Sequence, residues 1–438
     1  MKQIKLNCST VIKGAIAIVI FAVAILMIVV WMSASPNATI PSDFQIQETR
    51  PVIRPDYSSI TLPPNIAPMN FEILVQGDAF VTEISSTRGH SIIVPGRALN
   101  ISPIQWKRLL AENAGETLRF DIYVQKNSKW TKLQPIWNHI SKDPIDPWIS
   151  YRLIEPGYEF FSAIKLQERN IESFETRNFA DNNLPGTATC FNCHNWQDRK
   201  TDRYIFHVRN LSPGTVLVDH GRIRKIDLKP EGQFSSCAYP SWHPTLNLIA
   251  FSVNRTFQAF HSIKPNRIEV IDERSDLALF DVEKNEVISL LKTESDFETF
   301  PSWSSDGRAL YYCCATVTLP PAQAGDIVDE NTYSSGAKTE NPQEEKTVTP
   351  RKEFIRDQCN QFKYNLMRMS FDPETRTFGK PEIVVDAAKI DKSISHPRVS
   401  PDGRYLLYTQ FDYGTFSIWH PESDLYLLDL KTGKSRSL

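Results

Sequence analysis

Glycine is scarce in this 438-residue chain, 17 residues against 29 prolines. That balance excludes a collagen-like or glycine-linker chain and points to rigid, loop-rich backbone. Neither charge sign dominates. Lys+Arg number 49 and Asp+Glu 51, so the large basic surface that phosphate backbones require is missing and no nucleic-acid partner is expected. There is no G-x-S-x-G elbow, no P-loop, no G-x-G-x-x-G and no H-E-x-x-H, which removes the common hydrolase, nucleotide and zinc-protease signatures. Hydrophobic residues make up 41% and charged residues 23%, enough for more than one sizeable core.

Long apolar runs are also rare, with one exception. From Gly14 to Met32 no residue is charged, and 19 residues at 1.5 Å each approach a hydrocarbon core of about 30 Å. Lys2, Lys5 and Lys13 precede the run without an acidic residue, so the positive-inside rule keeps residues 1–13 cytoplasmic and sends the rest across. The competing reading is a cleaved signal peptide. Its apolar stretch is usually about 7 to 15 residues, and here Pro36 follows the best small cluster, Ser33-Ala34-Ser35. The expectation is a single-pass bacterial inner-membrane protein with its body in the periplasm.

Prolines stud residues 33–69, which read as an extended spacer. Residues 70–142 alternate like short strands around one helix, PIQWKRLLAE, with Ser102 as its N-cap and Gly115 beyond it. That segment is expected to be a small β-rich domain. Residues 143–199 read as a connector, partly helical after Gly157.

Residues 200–438 contain a repeat, and a repeat decides a fold more firmly than local propensity. Tyr239-Pro240-Ser241-Trp242 is followed by Leu248 to Phe251. Phe300-Pro301-Ser302-Trp303-Ser304-Ser305-Asp306-Gly307 is followed by Leu310 to Tyr312, and His396-Pro397-Arg398-Val399-Ser400-Pro401-Asp402-Gly403 by Leu406 to Tyr408. The prolines are 61 and 96 residues apart, and removing a polar 36-residue stretch, 318–353, leaves 60 in the second interval. That stretch reads as a disordered excursion. The repeat resembles the TolB-like propeller repeat, also called WD40-like or PD40, whose hallmark is PxWSPDGxxLxF. Residues 240–251 depart from it, since Pro244-Thr245-Leu246-Asn247 stands where the Asp-Gly turn belongs. The expected fold is therefore mainly β: a transmembrane helix, a small β-rich domain and a C-terminal propeller of about four blades, an incomplete ring.

Cys190-Phe191-Asn192-Cys193-His194 carries the chemistry. Two thiols three positions apart can form thioethers to the vinyl groups of haem, with the next His as proximal iron ligand. The expectation is one covalent haem c on Cys190, Cys193 and His194. His207, in Phe206-His207-Val208-Arg209, stands first as second axial ligand, with Met367, Met369 or Met69 as alternatives. A Cys190–Cys193 disulfide and a zinc site are the competing readings. The linear order also resembles envelope proteins that join one CxNCH haem motif to a TolB-like propeller. The matching segments include Pro63 to Pro68, Pro144 to Tyr158, and Phe206 to Arg209 before Gly214-Thr215-Val216. The resemblance implies architecture and haem, and no serine peptidase domain of the kind that often follows such propellers is expected. Two functions are expected, the first from the haem motif combined with the repeat. One is electron transfer or redox sensing coupled to an envelope protein partner on the propeller. The other is a non-catalytic propeller scaffold with a structural Cys pair. A haem peroxidase is a weaker third.

Cys8 lies before the apolar run. Cys237, Cys313, Cys314 and Cys359 lie in an oxidising compartment. Adjacent Cys313 and Cys314 point to opposite faces of a strand and are not expected to bond each other.

Overall fold

A computed structural model describes residues 39–154, 164–182, 190–209, 213–228, 236–260, 268–321 and 349–438. The apolar run 14–32 lies outside them. No helix among the described residues is long and apolar enough to cross a membrane. The described residues fall into two compact units, 39–150 with 168–177, and 151–167 with 178–438.

The first unit is built on a seven-stranded sheet. Thr117–Lys126 pairs antiparallel with Ala79–Ser85, Lys129–Lys132 and Ile136–Ile140. The helix forms over Pro103–Glu112 as its sequence predicts, with Pro103 at its first turn, where the missing N–H costs nothing. Ser102 precedes it but makes no side-chain cap. Trp106, Leu109 and Leu110 share one face through their i, i+3, i+4 spacing and are buried in the core with Phe71, Phe120 and Ile122. The spacer expected over 33–69 is not seen in its described part. Gln45–Ile46, Ile53–Arg54 and Thr61–Leu62 are strands, and Ile53, Leu62 and Met69 are core residues. Two-residue strands are too short for periodicity to reveal, and proline is admitted between them because their edges need few ladder donors.

The second unit repeats one sheet, a four-stranded antiparallel meander. Blade II comprises Cys190–Trp196, Arg203–Arg209, Gly214–Asp219 and Arg222–Ile226. Blade III comprises Cys237–Trp242, Leu248–Phe260, Ile268–Asp281 and Glu286–Leu291. Blade IV comprises Asp296–Trp303, Ala309–Thr316 and Asn365–Asp372, closed by Thr377–Phe378 and Glu382–Val385. Blade V comprises Ser393–Val399, Tyr405–Phe411, Asp424–Asp429 and Lys434–Ser437. A three-stranded sheet, Trp148–Ile154, Ile164–Asn170 and Thr176–Asp181, of which residues 151–154, 164–167 and 178–181 belong to this unit, is blade I. The first strands of blades II to V pack on one another in order, so they are the inner strands of a five-bladed β-propeller.

The connector and the blade count differ from what the sequence predicts, and the excursion expected over 318–353 ends in the helix Pro350–Gln358, its residues 322–348 lying outside the described ones. The segment 143–199 is not a partly helical connector, since its described residues supply all of blade I and the inner strand of blade II. The blade count is five rather than about four. Ile268–Asp281, Asn365–Asp372 and Asp424–Asp429 are the third strands of their blades, with a further strand outside each.

The repeat turn confirms why the sequence carries Asp-Gly. Asp306 Oδ1 accepts from Arg308 N at 2.9 Å and from Ser304 Oγ at 2.6 Å, and Gly307 follows at φ +68°. Blade III builds the turn without them. His243 Nδ1 accepts from Thr245 N at 3.2 Å and Leu246 N at 2.9 Å, so an imidazole does the work of the aspartate. Its other nitrogen then carries the proton and donates to Gly307 O of blade IV at 3.0 Å.

Candidate functional site

Each inner strand breaks register at the same place. The irregularity lies between Asn192 and Asn195, Ala238 and Ser241, Thr299 and Ser302, and Ser395 and Arg398. One residue in each bulge is left-handed: Cys193 at φ +53°, Tyr239 at +49°, Phe300 at +53° and His396 at +53°. A non-glycine residue in that region costs about 1–2 kcal/mol, so four repetitions mark a built feature. The residue after it is His194, Pro240, Pro301 or Pro397. Cys193-His194-Asn195-Trp196 is therefore a copy of Tyr239-Pro240-Ser241-Trp242 and Phe300-Pro301-Ser302-Trp303. Sequence reasoning missed this copy. Its signal was Trp196, three residues after the bulge as Trp242 and Trp303 are, hidden by His194 in place of proline and by a 46-residue interval to Tyr239.

The bulge residues of blades III, IV and V meet through their rings. Tyr239 and Phe300 rings lie 4.7 Å apart, Phe300 stacks on His396 at 4.1 Å, and Phe416 touches all three at 5.8–6.0 Å. Burial pushes the Tyr239 phenol well above its ordinary range, with Cys193 adding to the rise. Burial, with Arg398 beside it, holds the His396 imidazole down to about 4, so it is neutral.

The side chains of the pentapeptide part company. Cys190, Asn192 and His207 share one face, since Cys190 pairs with Arg209 and Asn192 with His207 in register. That face meets blade III, where the His207 ring lies 6.0 Å from Phe251. His194 is on the other face, its ring 6.1 Å from Phe179, which also touches Trp196 at 5.5 Å and Tyr204 at 5.8 Å. Cys193 sits between them in the bulge, within electrostatic reach of Tyr239 and Arg398.

Burial pushes the Cys190 thiol up, opposed by Arg209 and Arg152. Burial takes His207 down to about 3, so it is neutral. Its Nδ1 lies 2.7 Å from Thr215 Oγ1, while its Nε2 and Asn192 Oδ1 are buried without hydrogen-bond partners. The unpartnered Nε2 suits a metal ligand, yet a haem held by Cys190, Cys193 and His194 needs all three on one side of the strand. The sheet stands between Cys190 and His194, and between His194 and His207. The residues in this arrangement do not fit the group. Among the described residues no cluster of three His, Cys, Asp or Glu could hold a metal ion. Met69 and Met369 are core residues, and Met367 packs beside Met369. The described cysteines are free, with Cys313 and Cys314 in different cores as expected of opposite faces.

No protein-family description matches the chain, and no curated protein matches it. Solved structures resemble it weakly. The tricorn protease aligns at 11% identity and a TM-score of 0.32 over 74% of this chain, which spans 33% of that chain. The β-propeller domain of Cps50 (Swd1) from Myceliophteria thermophila aligns at 10% and 0.34, covering 83% of this chain and 87% of that one. Sqt1 of Saccharomyces cerevisiae aligns at 8% and 0.32, covering 90% and 88%. The propeller rests on the strand pairing above rather than on these likenesses.

Proposed function

We propose that this chain is a membrane-held propeller scaffold that docks a protein partner of the cell envelope. The supporting observation is a groove of about 290 Å³ between blades IV and V, at the Asp-Gly turns. Tyr311, Val399 and Leu430 give it an apolar floor, and Arg308, Arg368 and Asp402 a rim of both charge signs. An apolar floor with a polar rim suits an extended peptide segment, whose side chains bury while its ends stay solvated. The apolar run 14–32 would anchor the scaffold, with the body outside the cytoplasm. A photo-crosslinking residue placed at Val399 or Leu430 in the full chain is expected to give a discrete adduct in the native envelope, and one placed at Lys434 of the outer strand none. Equal labelling at all three positions would refute docking there.

A second reading is a c-type haem protein working in electron transfer or redox sensing. The Cys-x-x-Cys-His order alone favours it. It requires the strand 190–196 to leave blade II, and a Soret band in protein matured with haem-attachment machinery would decide for it.

A further inference from the structure

We infer that Cys190–His194 is the inner strand of a propeller blade and not a haem-attachment segment, which leaves Cys193 as a native free thiol in the inner-strand bulge. Four observations carry this. The bulge falls at the same point as in blades III, IV and V, and its left-handed residue is Cys193, the counterpart of Tyr239, Phe300 and His396. Asn195, the counterpart of Ser241, makes the same link to the next blade: Asn195 Oδ1 accepts from Trp242 N at 2.9 Å, and Ser241 Oγ from Trp303 N at 3.0 Å. Gln197, the counterpart of His243, also reaches forward, donating to His243 O and Leu246 O at 3.0 Å each, as His243 does to Gly307 O at 3.0 Å. Finally, the two faces of the sheet separate Cys190 from His194, as the rings of Phe251 and Phe179 on either side record.

A strand that is keyed to its neighbours at the bulge, at Asn195 and at Gln197 holds its shape as part of the ring. To gather both thiols and His194 around one porphyrin it would have to give up all three links. The inference rests on strand pairing and ring contacts, so failure to find a docked partner would leave it standing, and its own failure would leave the groove untouched.

The position of His194 offers the sharpest test. Proline fills that position in the other three copies, so the backbone geometry of the bulge admits it there. A haem-attachment helix would be broken by proline at the same place. The full chain is produced with haem-attachment machinery, as wild type and as His194→Pro, and the native protein is treated with iodoacetamide before peptide mapping. The expected result for wild type is no haem stain on a denaturing gel and alkylation of Cys193, which is half-buried, with Cys190 protected. His194→Pro is expected to melt within about 3 °C of wild type with the same alkylation pattern. A covalent haem stain in wild type overturns the inference. So does equal alkylation of Cys190 and Cys193, and so does a His194→Pro chain that fails to fold while Asn195→Ala still does.

Discussion

Gly307 shows how much one atom matters at an Asp-Gly turn. Its φ of +68° already disfavours any side chain, and a Cβ built there would lie 2.4 Å from the His243 ring of the preceding blade. Gly307→Ala is expected to lower stability by about 2–4 kcal/mol, combining left-handed strain with a clash against a packed ring. Chemical denaturation measures it, and Gly307→Ala combined with His243→Ala should recover part of the loss. Gly433 also sits at φ +70°, with nothing within 4 Å of its added Cβ. Gly433→Ala should cost no more than about 1–2 kcal/mol, so the difference between the two substitutions isolates the clash.

The inner strands depend on side-chain to backbone bonds between blades. Asn195→Ala removes the acceptor for Trp242 N and leaves that N–H unsatisfied. A loss of about 1–3 kcal/mol is expected in the same denaturation experiment, and Asn195→Ser, which restores the residue of blades III and IV, should recover most of it. These elements also explain what the sequence made legible. Aromatic-Pro-Ser-Trp followed by an apolar run marked blades III and IV, and His-Pro with Asp-Gly marked blade V, because proline and glycine record backbone geometry directly. Blade II was masked because Cys193-His194 satisfies the same geometry without proline, and because a pentapeptide with its own chemical meaning stood on the strand. Spacing in sequence places two thiols and an imidazole three and four residues apart, but only pairing with Arg203–Arg209 fixes which face each one takes. His243 likewise replaced the Asp-Gly signal by a ring nitrogen that no turn pattern contains.

At the scale of the whole ring, buried ionisable groups join blades and set a pH dependence. Glu298 of blade IV is pushed up to about 8 by burial and by Asp276 of blade III, and burial takes Asp276 to about 6. Both Asp276 oxygens and Glu298 Oε2 lack hydrogen-bond partners, with Arg274 3.5 Å from Asp276. For an acid whose folded pKa is raised, stability is fully present below its ordinary value of 4.5 and lost as pH rises through about 8. His420 of blade V works in the same direction. Burial pulls it down, but hydrogen bonds to Glu269 at 3.2 Å and Glu422 at 3.0 Å outweigh that and raise it. Its contribution is present below 6.5 and lost as pH rises through the higher folded value. Against His207 and His396, whose imidazoles are held low and so favour stability at the higher pH, these raised groups add a downward slope of stability from pH 5 to pH 9 on the order of a few kcal/mol. Glu298→Gln should flatten that slope. An unchanged slope would place the titration elsewhere.

The central claim is that residues 190–196 are a propeller strand in the native protein. Amide hydrogen exchange of the full chain tests it most directly, by comparing peptides that cover Cys190–Trp196 with those that cover Cys237–Trp242 and Asp296–Trp303. The account predicts slow exchange of the same order in all three, because each inner strand pairs with the second strand of its blade and packs on its neighbours. Exchange of 190–196 at the rate of an unpaired segment, while the other two stay protected, would contradict it.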